Sequence, residues 1–146
     1  MSYDCFLSYA SADVKTAEAL YGRLTAEGFS VWFDKARLQP GFDWHREIEA
    51  ACEASRIVLP ILTPRWSRSE WTKYETYGAE AIIPLIAEGR FEDVATPPLR
   101  RVQASAITLG ADRIDAPGLV SAIRARLAEP AVDTAERQRR LAHLRY

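Results

Sequence analysis

The sequence is poor in the side chains that bind metals or form disulfides. It has two histidines, His45 and His143, which lie far apart and show no metal-ligand spacing. Its two cysteines, Cys5 and Cys52, each lie in an apolar run. We therefore expect no metal site and no cofactor, and two free buried thiols rather than a disulfide framework.

An excess of charge of one sign and a long apolar run are also missing. The 146 residues carry 19 Lys and Arg against 20 Asp and Glu, for a formal net charge of −1. Binding to nucleic acid or to an anionic membrane usually needs a strong basic excess, so we expect neither partner. No apolar run approaches the roughly 20 residues that span a bilayer. The N-terminus lacks a basic segment followed by an apolar one, so we expect a cytoplasmic protein.

Apolar residues make up 48% of the chain, and short apolar runs alternate with amphipathic stretches. The runs predict five strands and the stretches between them predict helices, which indicates a parallel sheet. The predicted fold class is α/β, a flavodoxin-like three-layer sandwich with a central parallel five-stranded sheet and helices on both faces. The predicted strands are Cys5–Leu7, Phe29–Phe33, Ile57–Leu62, Ile82–Ile86 and Ala106–Leu109.

Several residues predict where individual elements begin and end. Ser11 or Asp13 can cap a first helix, whose inward face would hold Val14, Ala17, Leu20, Tyr21 and Leu24, and Gly28 suits its end. Asp115 would begin the last helix with Pro117 in its first turn. Pro84 argues that the fourth strand is an edge strand or ends there. Residues 88–105 show the least regular pattern, and Pro130 separates a domain over 1–130 from a helical tail or linker over 131–146 that leads toward a further domain.

In parallel sheets, ligands bind beyond the carboxyl ends of the strands. Three connections lie there: 8–13, 34–43 and 63–71. The first has no glycine, which argues against a phosphate-binding or dinucleotide loop. The third strand ends in Leu62-Thr63-Pro64 without the acidic residue of a phosphoacceptor receiver, and no Gly-x-Ser-x-Gly elbow exists for serine nucleophile chemistry.

Five segments between about residues 3 and 128 form a pattern when they are taken in order. The first is Tyr3-Asp4-Cys5-Phe6-Leu7-Ser8-Tyr9, and the second is Gly28-Phe29-Ser30-Val31-Trp32-Phe33-Asp34 with Leu38-Gln39-Pro40-Gly41 after it. The third is the set of positions Trp44, Ile48, Ala51 and Ser55, the fourth is Ile57-Val58-Leu59-Pro60-Ile61-Leu62-Thr63-Pro64, and the fifth is Ser67-x-x-x-Trp71-x-x-x-Glu75. Together these segments resemble Toll/interleukin-1 receptor (TIR) domains. In NAD⁺-cleaving TIR domains a glutamate follows a tryptophan by four residues at the place of Glu75.

The resemblance implies an NAD⁺ glycohydrolase or cyclase with Glu75 as the catalytic carboxylate. The implied substrate-binding residues are Ser8, Tyr9, Ala10, Phe33, Asp34, Lys35, Arg37, Leu38 and Trp71, and the implied assembly loop is Leu38, Gln39, Pro40, Gly41 and Phe42. Ala10 stands where several relatives have Arg, so the resemblance leaves phosphate contacts to Lys35 or Arg37.

The resemblance also implies partners and a setting. NAD⁺ would be the substrate, and other TIR domains would stack into a homo-oligomer or filament. A sensor or oligomerisation domain would be fused to the chain, activity would be weak in an isolated monomer, and the role would be prokaryotic defence. A non-catalytic TIR scaffold, including a mimic of host signalling, is the main alternative, and a nucleoside deoxyribosyltransferase is a remote one. Linear and cyclic products are equally compatible with these residues.

Overall fold

The computed structural model describes residues 3–33, 44–68, 81–95, 97–110 and 118–129. These ranges contain six strand segments: β1 (Tyr3–Ser8), β2 (Val31–Trp32), β3 (Ser55–Leu62), β4 (Ala81–Ile82), β5 (Leu85–Ile86) and β6 (Ile107–Thr108). The α-helices in them are α1 (Val14–Ala26), α2 (Trp44–Glu53), α3 (Phe91–Val94) and α4 (Leu119–Ala128). The 3₁₀ helices are Ser11–Asp13, Trp66–Arg68 and Pro97–Ser105.

The strands pair in parallel in the order β2-β1-β3-β5-β6, with β4 also pairing with β3. This is the flavodoxin-like order, in which the direction of winding reverses between β1 and β3. The observed order therefore confirms the predicted fold class. It also places the ligand crevice expected for such a sheet at the carboxyl ends of β1 and β3.

The fourth predicted strand is interrupted at Pro84, giving β4 and β5 on either side of it. Its position is interior, because the Pro84 carbonyl accepts a hydrogen bond from Ile107 N–H at 2.8 Å while Ile83 N–H donates to Val58 at 3.0 Å. Of the two alternatives expected at Pro84, the edge strand is wrong and the strand end is confirmed, because β4 ends at Ile82 and β5 begins at Leu85. The missing N–H of the proline faces β6 just before that strand begins, so no ladder bond is lost.

Two apolar cores cover the two faces of the sheet. On one face, β1 and β3 pack against α1 and α4 through Leu20, Leu24 and Ile123, all fully buried. On the other face, Phe6 and Val58 contact α2, α3 and the 3₁₀ helix at 97–105. Helices on both faces make the three-layer arrangement that the alternating sequence pattern predicts.

The helix boundaries correct two expectations. Gly118 precedes α4 with a φ of 85°, so this helix begins at Leu119, four residues after the predicted start; Asp115 and Pro117 lie outside the described residues. Residues 88–105 are more regular than predicted, since α3 and the 97–105 helix bury Phe91, Val94 and Leu99. Within the described ranges, no helix has the length and apolar character to cross a bilayer.

The carboxyl end of α4 is tied to the start of the central strand. Arg56, the second residue of β3, donates from its guanidinium to the carbonyls of Leu127 at 3.0 Å and Glu129 at 2.8 Å. Carbonyl groups in the last turn of a helix have no partner within the helix, and a guanidinium satisfies them well. The carboxyl end of α4 is therefore fixed to the sheet at the amino edge of β3.

Candidate functional site

The first predicted site loop lies at the carboxyl end of β1, where the winding of the sheet reverses. Ser8 ends the strand, and Tyr9 and Ala10 follow it. All three are buried, with 1%, 0% and 5% of their surface exposed. These three residues therefore lie where the ligand crevice of such a sheet is expected, with their side chains packed into the domain.

Phe33 lies beside the Tyr9 ring and belongs to a row of three aromatic rings. The Tyr9 and Phe33 ring centroids are 5.4 Å apart, and those of Phe33 and Tyr21 are 5.3 Å apart. The structure thus brings the predicted site residues Tyr9 and Phe33 together. Tyr21 was expected on the inward face of α1, but 38% of it is exposed because its ring lies at the outer end of this row.

A buried hydrogen bond joins the loops after β1 and β3. The Trp66 indole N–H donates to Ser8 Oγ at 2.9 Å, and both side chains are almost fully buried. Buried indole groups usually find such a partner, because an unpaired N–H in an apolar interior is costly. In the sequence, nothing separates Trp66 from an ordinary core aromatic, since its partner lies 58 residues away.

A polar cluster around the carboxylate of Asp13 lies at the same edge. Thr63 Oγ1 donates to Asp13 Oδ2 at 2.7 Å, and Arg65 Nε donates to Asp13 Oδ1 at 2.9 Å. The Trp66 backbone N–H in turn donates to Thr63 Oγ1 at 3.1 Å. The cluster therefore links the connection after β1 to the connection after β3.

Arg65 extends the cluster to a third strand end. Its two terminal nitrogens donate to the Glu88 carboxylate at 3.3 and 3.1 Å, just after β5. Hydrogen bonds first to Asp13 and then to Glu88 raise the pKa of Arg65 further above its already high usual value. The guanidinium is thus a permanent cation shared by two carboxylates, an arrangement that suits bridging and not the binding of a phosphate.

The sequence predicted a different role for Asp13. Asp13 precedes α1, as a capping residue would, but within the described part of the chain its side chain makes no capping hydrogen bond. Its carboxylate bonds Thr63 and Arg65 instead. Asp13 therefore does not cap α1 with its side chain; its carboxylate instead links residues that follow β1 and β3. In the sequence, the polar residues after β3 and β5 are the only sign of this role.

The remaining predicted site residues lie outside the described residues. They are the catalytic candidate Glu75, its neighbour Trp71, the substrate-binding candidates Asp34, Lys35, Arg37 and Leu38, and the assembly-loop residues Gln39, Pro40, Gly41 and Phe42.

Both thiols are free and buried, as predicted for Cys5 and Cys52. Among the side chains that the structure describes, no group of three or more His, Cys, Asp or Glu could hold a metal ion.

Two proteins of known activity are similar to part of this chain. The NAD(+) hydrolase PdTIR of Paracoccus denitrificans is 34% identical over 89 residues, which is 60% of this chain and 29% of that protein. The 2' cyclic ADP-D-ribose synthase BtTIR of Bacteroides thetaiotaomicron is 31% identical over 80 residues, which is 54% of this chain and 28% of that protein. The chain thus spans less than a third of the length of either relative.

A solved structure and a family model agree with these relatives. The TIR domain of the Toll-related receptor TRR-2 from Hydra magnipapillata superposes with a TM-score of 0.60 at 19% identity, covering 72% of this chain and 84% of that one. At that identity the likeness shows the fold alone. The model of the TIR domain family matches residues 5–118, and the chain therefore belongs to the TIR domain family.

Proposed function

We propose that this domain cleaves NAD⁺ to nicotinamide and ADP-ribose or a cyclic ADP-ribose, with Glu75 as its catalytic carboxylate. The observation that carries the proposal is the Trp71-x-x-x-Glu75 spacing in a chain whose relatives are named as an NAD(+) hydrolase and a cyclic ADP-D-ribose synthase. A scaffold that only associates with other proteins has no need of this carboxylate.

The chemistry explains why one carboxylate is enough. Most glycosidic bonds need a second carboxylic acid, which protonates the leaving group. The nicotinamide of NAD⁺ is already a pyridinium ring, so it leaves as a neutral molecule without a proton. What remains is to stabilise the oxocarbenium-like transition state and to orient the ribose, and one ionised carboxylate does both by charge and by hydrogen bonds to the hydroxyl groups.

The described residues support a binding crevice at the edge where this chemistry is expected. The winding of the sheet reverses between β1 and β3, which is where ligands bind in such sheets. Phe33 is partly exposed and its ring packs beside the buried ring of Tyr9, so this edge offers an aromatic surface on which a planar base can stack. The cluster around Arg65 carries more negative than positive charge, so contacts to the pyrophosphate fall to Lys35 or Arg37 in the proposed site.

Assembly is part of the proposal. The resemblance to catalytic TIR domains implies that residues 38–42 of one copy complete the site of the next copy. An isolated domain is then a weak enzyme, and clustering, by a fused sensor or oligomerisation domain in a prokaryotic defence system, raises its activity. Its partners are NAD⁺ and other TIR domains.

Nicotinamide release from NAD⁺ tests the proposal. The protein is assayed at high concentration with a crowding agent or on beads, as wild type, Glu75→Ala, Glu75→Gln and Glu80→Gln. Loss of the carboxylate at position 75 should lower the rate about a hundredfold or more, which corresponds to roughly 3 kcal/mol of barrier. Glu80→Gln removes a nearby carboxylate of the same chain segment and should leave the rate close to wild type.

The outcomes separate the two functions. Release that disappears in both Glu75 variants and persists in Glu80→Gln supports the enzyme and the role of Glu75. Equal release from all four proteins points to a contaminant or to another catalytic residue. If none of them releases nicotinamide while light scattering shows assembly, the domain is a non-catalytic scaffold.

A further inference from the structure

Tyr21 is the one large hydrophobic residue with an exposed side chain among the residues that the structure describes. It lies in the middle of α1, one position after Leu20 and four positions after Ala17, which are both fully buried. Tyr21 is therefore on the flank of the helix, between its inward and outward faces, where a side chain can contact an element beside the helix. That element is the end of β2, the first strand in the order of the sheet.

The ring of Tyr21 packs against the ring of Phe33, which follows β2. Their centroids are 5.3 Å apart and their planes differ by 31°. On its other contact, Phe33 meets the ring of Tyr9 at 5.4 Å and 34°. Both distances are in the range at which aromatic rings attract each other. Since Tyr9 is fully buried and Tyr21 is 38% exposed, the half-buried ring of Phe33 has one aromatic neighbour in the core and one at the surface.

The backbone next to Phe33 is fixed from the opposite face of the sheet. Trp32 pairs with Phe6 in the register of β2 and β1, and their rings stack at 4.7 Å with planes 4° apart. Successive side chains of a strand point to opposite faces, so Trp32 packs into the core on the α2 face and Phe33 packs against the core on the α1 face. The sheet thus sets where Phe33 begins, and the two tyrosine rings limit how its own ring can turn.

We propose that Tyr21 is a positioning residue for a base of NAD⁺, acting through the ring of Phe33. The inference rests on the proposed function and deepens it, because it adds a residue of α1 to the binding of the substrate. A planar base binds more tightly to a ring that already has its bound orientation, since ordering a side chain during binding costs affinity. Tyr21 holds that orientation in the free protein and does not itself touch the substrate. Adenine and nicotinamide both present the flat aromatic face that such a ring takes.

Tyr21→Ala is the decisive variant, because it removes the outer ring of the row and places a good helix former in α1. Tyr21→Phe keeps the ring without the hydroxyl group and serves as the rescue. Tyr3→Ala is the matched control, since it makes the same substitution at a half-buried tyrosine. Tyr3 begins β1 at the opposite edge of the sheet and packs against the core on the α2 face, away from the row of rings.

The four proteins are compared in the clustered nicotinamide-release assay, with kcat and KM measured separately and with stability measured by urea unfolding. We expect KM to rise about three- to tenfold in Tyr21→Ala with kcat within about twofold of wild type, since ordering one side chain on binding changes affinity by about this factor. Tyr21→Phe should have nearly the wild-type KM. Tyr3→Ala should lose stability while keeping the wild-type KM.

Nuclear magnetic resonance of protein labelled with ¹³C-phenylalanine gives a readout that does not depend on turnover. The ring signal of Phe33 is assigned by its absence from Phe33→Leu. ADP-ribose, which carries the adenine, and nicotinamide mononucleotide, which carries the nicotinamide, are titrated separately. The probe whose base stacks on Phe33 should shift this signal in wild type, and Tyr21→Ala should need about three- to tenfold more of that probe for the same shift. The probe that responds identifies the base.

The outcomes separate the inference from the function on which it rests. If wild type releases nicotinamide but neither probe shifts the Phe33 signal, or if KM and the titrations are unchanged in Tyr21→Ala, the role of Tyr21 is overturned and the proposed function stands. An equal rise of KM in Tyr3→Ala also overturns that role, because any loss of packing would then have the same effect. Absence of release from wild type overturns the proposed function, and the inference falls with it.

Discussion

Cys5 lies within β1, where its thiol is fully buried in the core cluster that the sheet forms with α1 and α4. Burial raises the pKa of Cys5 from 9.0 to about 12, with a smaller contribution from the neighbouring carboxylate of Asp4. Because the thiolate is the reactive form, this thiol is inert at neutral pH. Its protonated state also links the stability of the fold to pH.

The Cys5 thiol should make the domain less stable as the solution becomes alkaline. Its contribution is fully present below about pH 9 and is lost as pH rises from 9 toward 12, because the unfolded chain ionises first. Over that window the free energy of unfolding should fall by about 1.4 kcal/mol per pH unit from this group. Urea unfolding of wild type and Cys5→Ala between about pH 8 and 10.5 measures the difference in slope. Parallel slopes in the two proteins would contradict the assignment.

Other residues show where a sequence is informative about a side chain and where it is not. Burial of both thiols follows from the apolar runs that contain them, which is a local property. The partners of Asp13 and Trp66 are 50 to 58 residues away in the chain, so no local pattern indicates them. An aspartate before a helix predicts a cap, and only the tertiary fold offers it a threonine hydroxyl and a guanidinium instead.

Among the elements, α1 shows how a glycine ends a helix. Gly28 has a φ of 94°, and the N–H groups of Gly28 and Phe29 donate to the carbonyls of Thr25 at 3.0 Å and Leu24 at 3.2 Å. These are the two bonds of a Schellman motif, which satisfies carbonyls that the helix leaves open. The turn then directs the chain into β2.

Two glycines near the end of α1 should respond to alanine in opposite directions. Gly28→Ala places a side chain at a positive φ and should cost about 1 to 2 kcal/mol. Gly22→Ala lies in the helix interior and should stabilise the domain by about 0.5 to 1 kcal/mol. Among the described residues, no atom lies within 4 Å of either added Cβ, so steric clashes do not enter the comparison. Urea unfolding measures both, and a change of the same sign in the two variants would argue against the backbone explanation.

The types of the described strands and of α1, α2 and α4 could be predicted from periodicity, but α3, the helix at 97–105 and the ends of several elements could not. The run from Ile82 to Ile86 has the composition of one strand, and Pro84 signals that something interrupts it. Whether a proline marks an edge or an interior break depends on which neighbour its missing N–H faces. That is set by the point at which β6 begins, some 23 residues later along the chain.

At the scale of the whole molecule, the parallel pairing of the strands and the covering of both faces of the sheet are the most predictable features. Alternating strands and helices imply parallel pairing and two covered faces, and both are present. The carboxyl edge of the sheet could therefore be named from the sequence as the place where a ligand is expected. The roles assigned to Glu75 and to residues 38–42 rest on the resemblance to TIR domains. Without it, the spacing of these residues would predict only a helix surface and a loop.

Self-assembly should show as activity that depends on concentration. If residues 38–42 of one copy complete the site of another, nicotinamide release per molecule should rise steeply with protein concentration and level off once assemblies form. Release is measured across about a hundredfold range of concentration, with light scattering on the same samples. Leu38→Glu places a charge in the assembly loop and should shift the rise to higher concentration. Release per molecule that is constant across the range would mean that one copy is a complete enzyme.

The anchoring of α4 by Arg56 gives the domain two poles. The crevice lies at one pole, beyond the carboxyl ends of β1 and β3, and the bond from Arg56 to the end of α4 lies at the other. The described end of α4 therefore lies at the pole opposite the edge where a ligand is expected, so a contact made at the Arg56 end leaves that edge free.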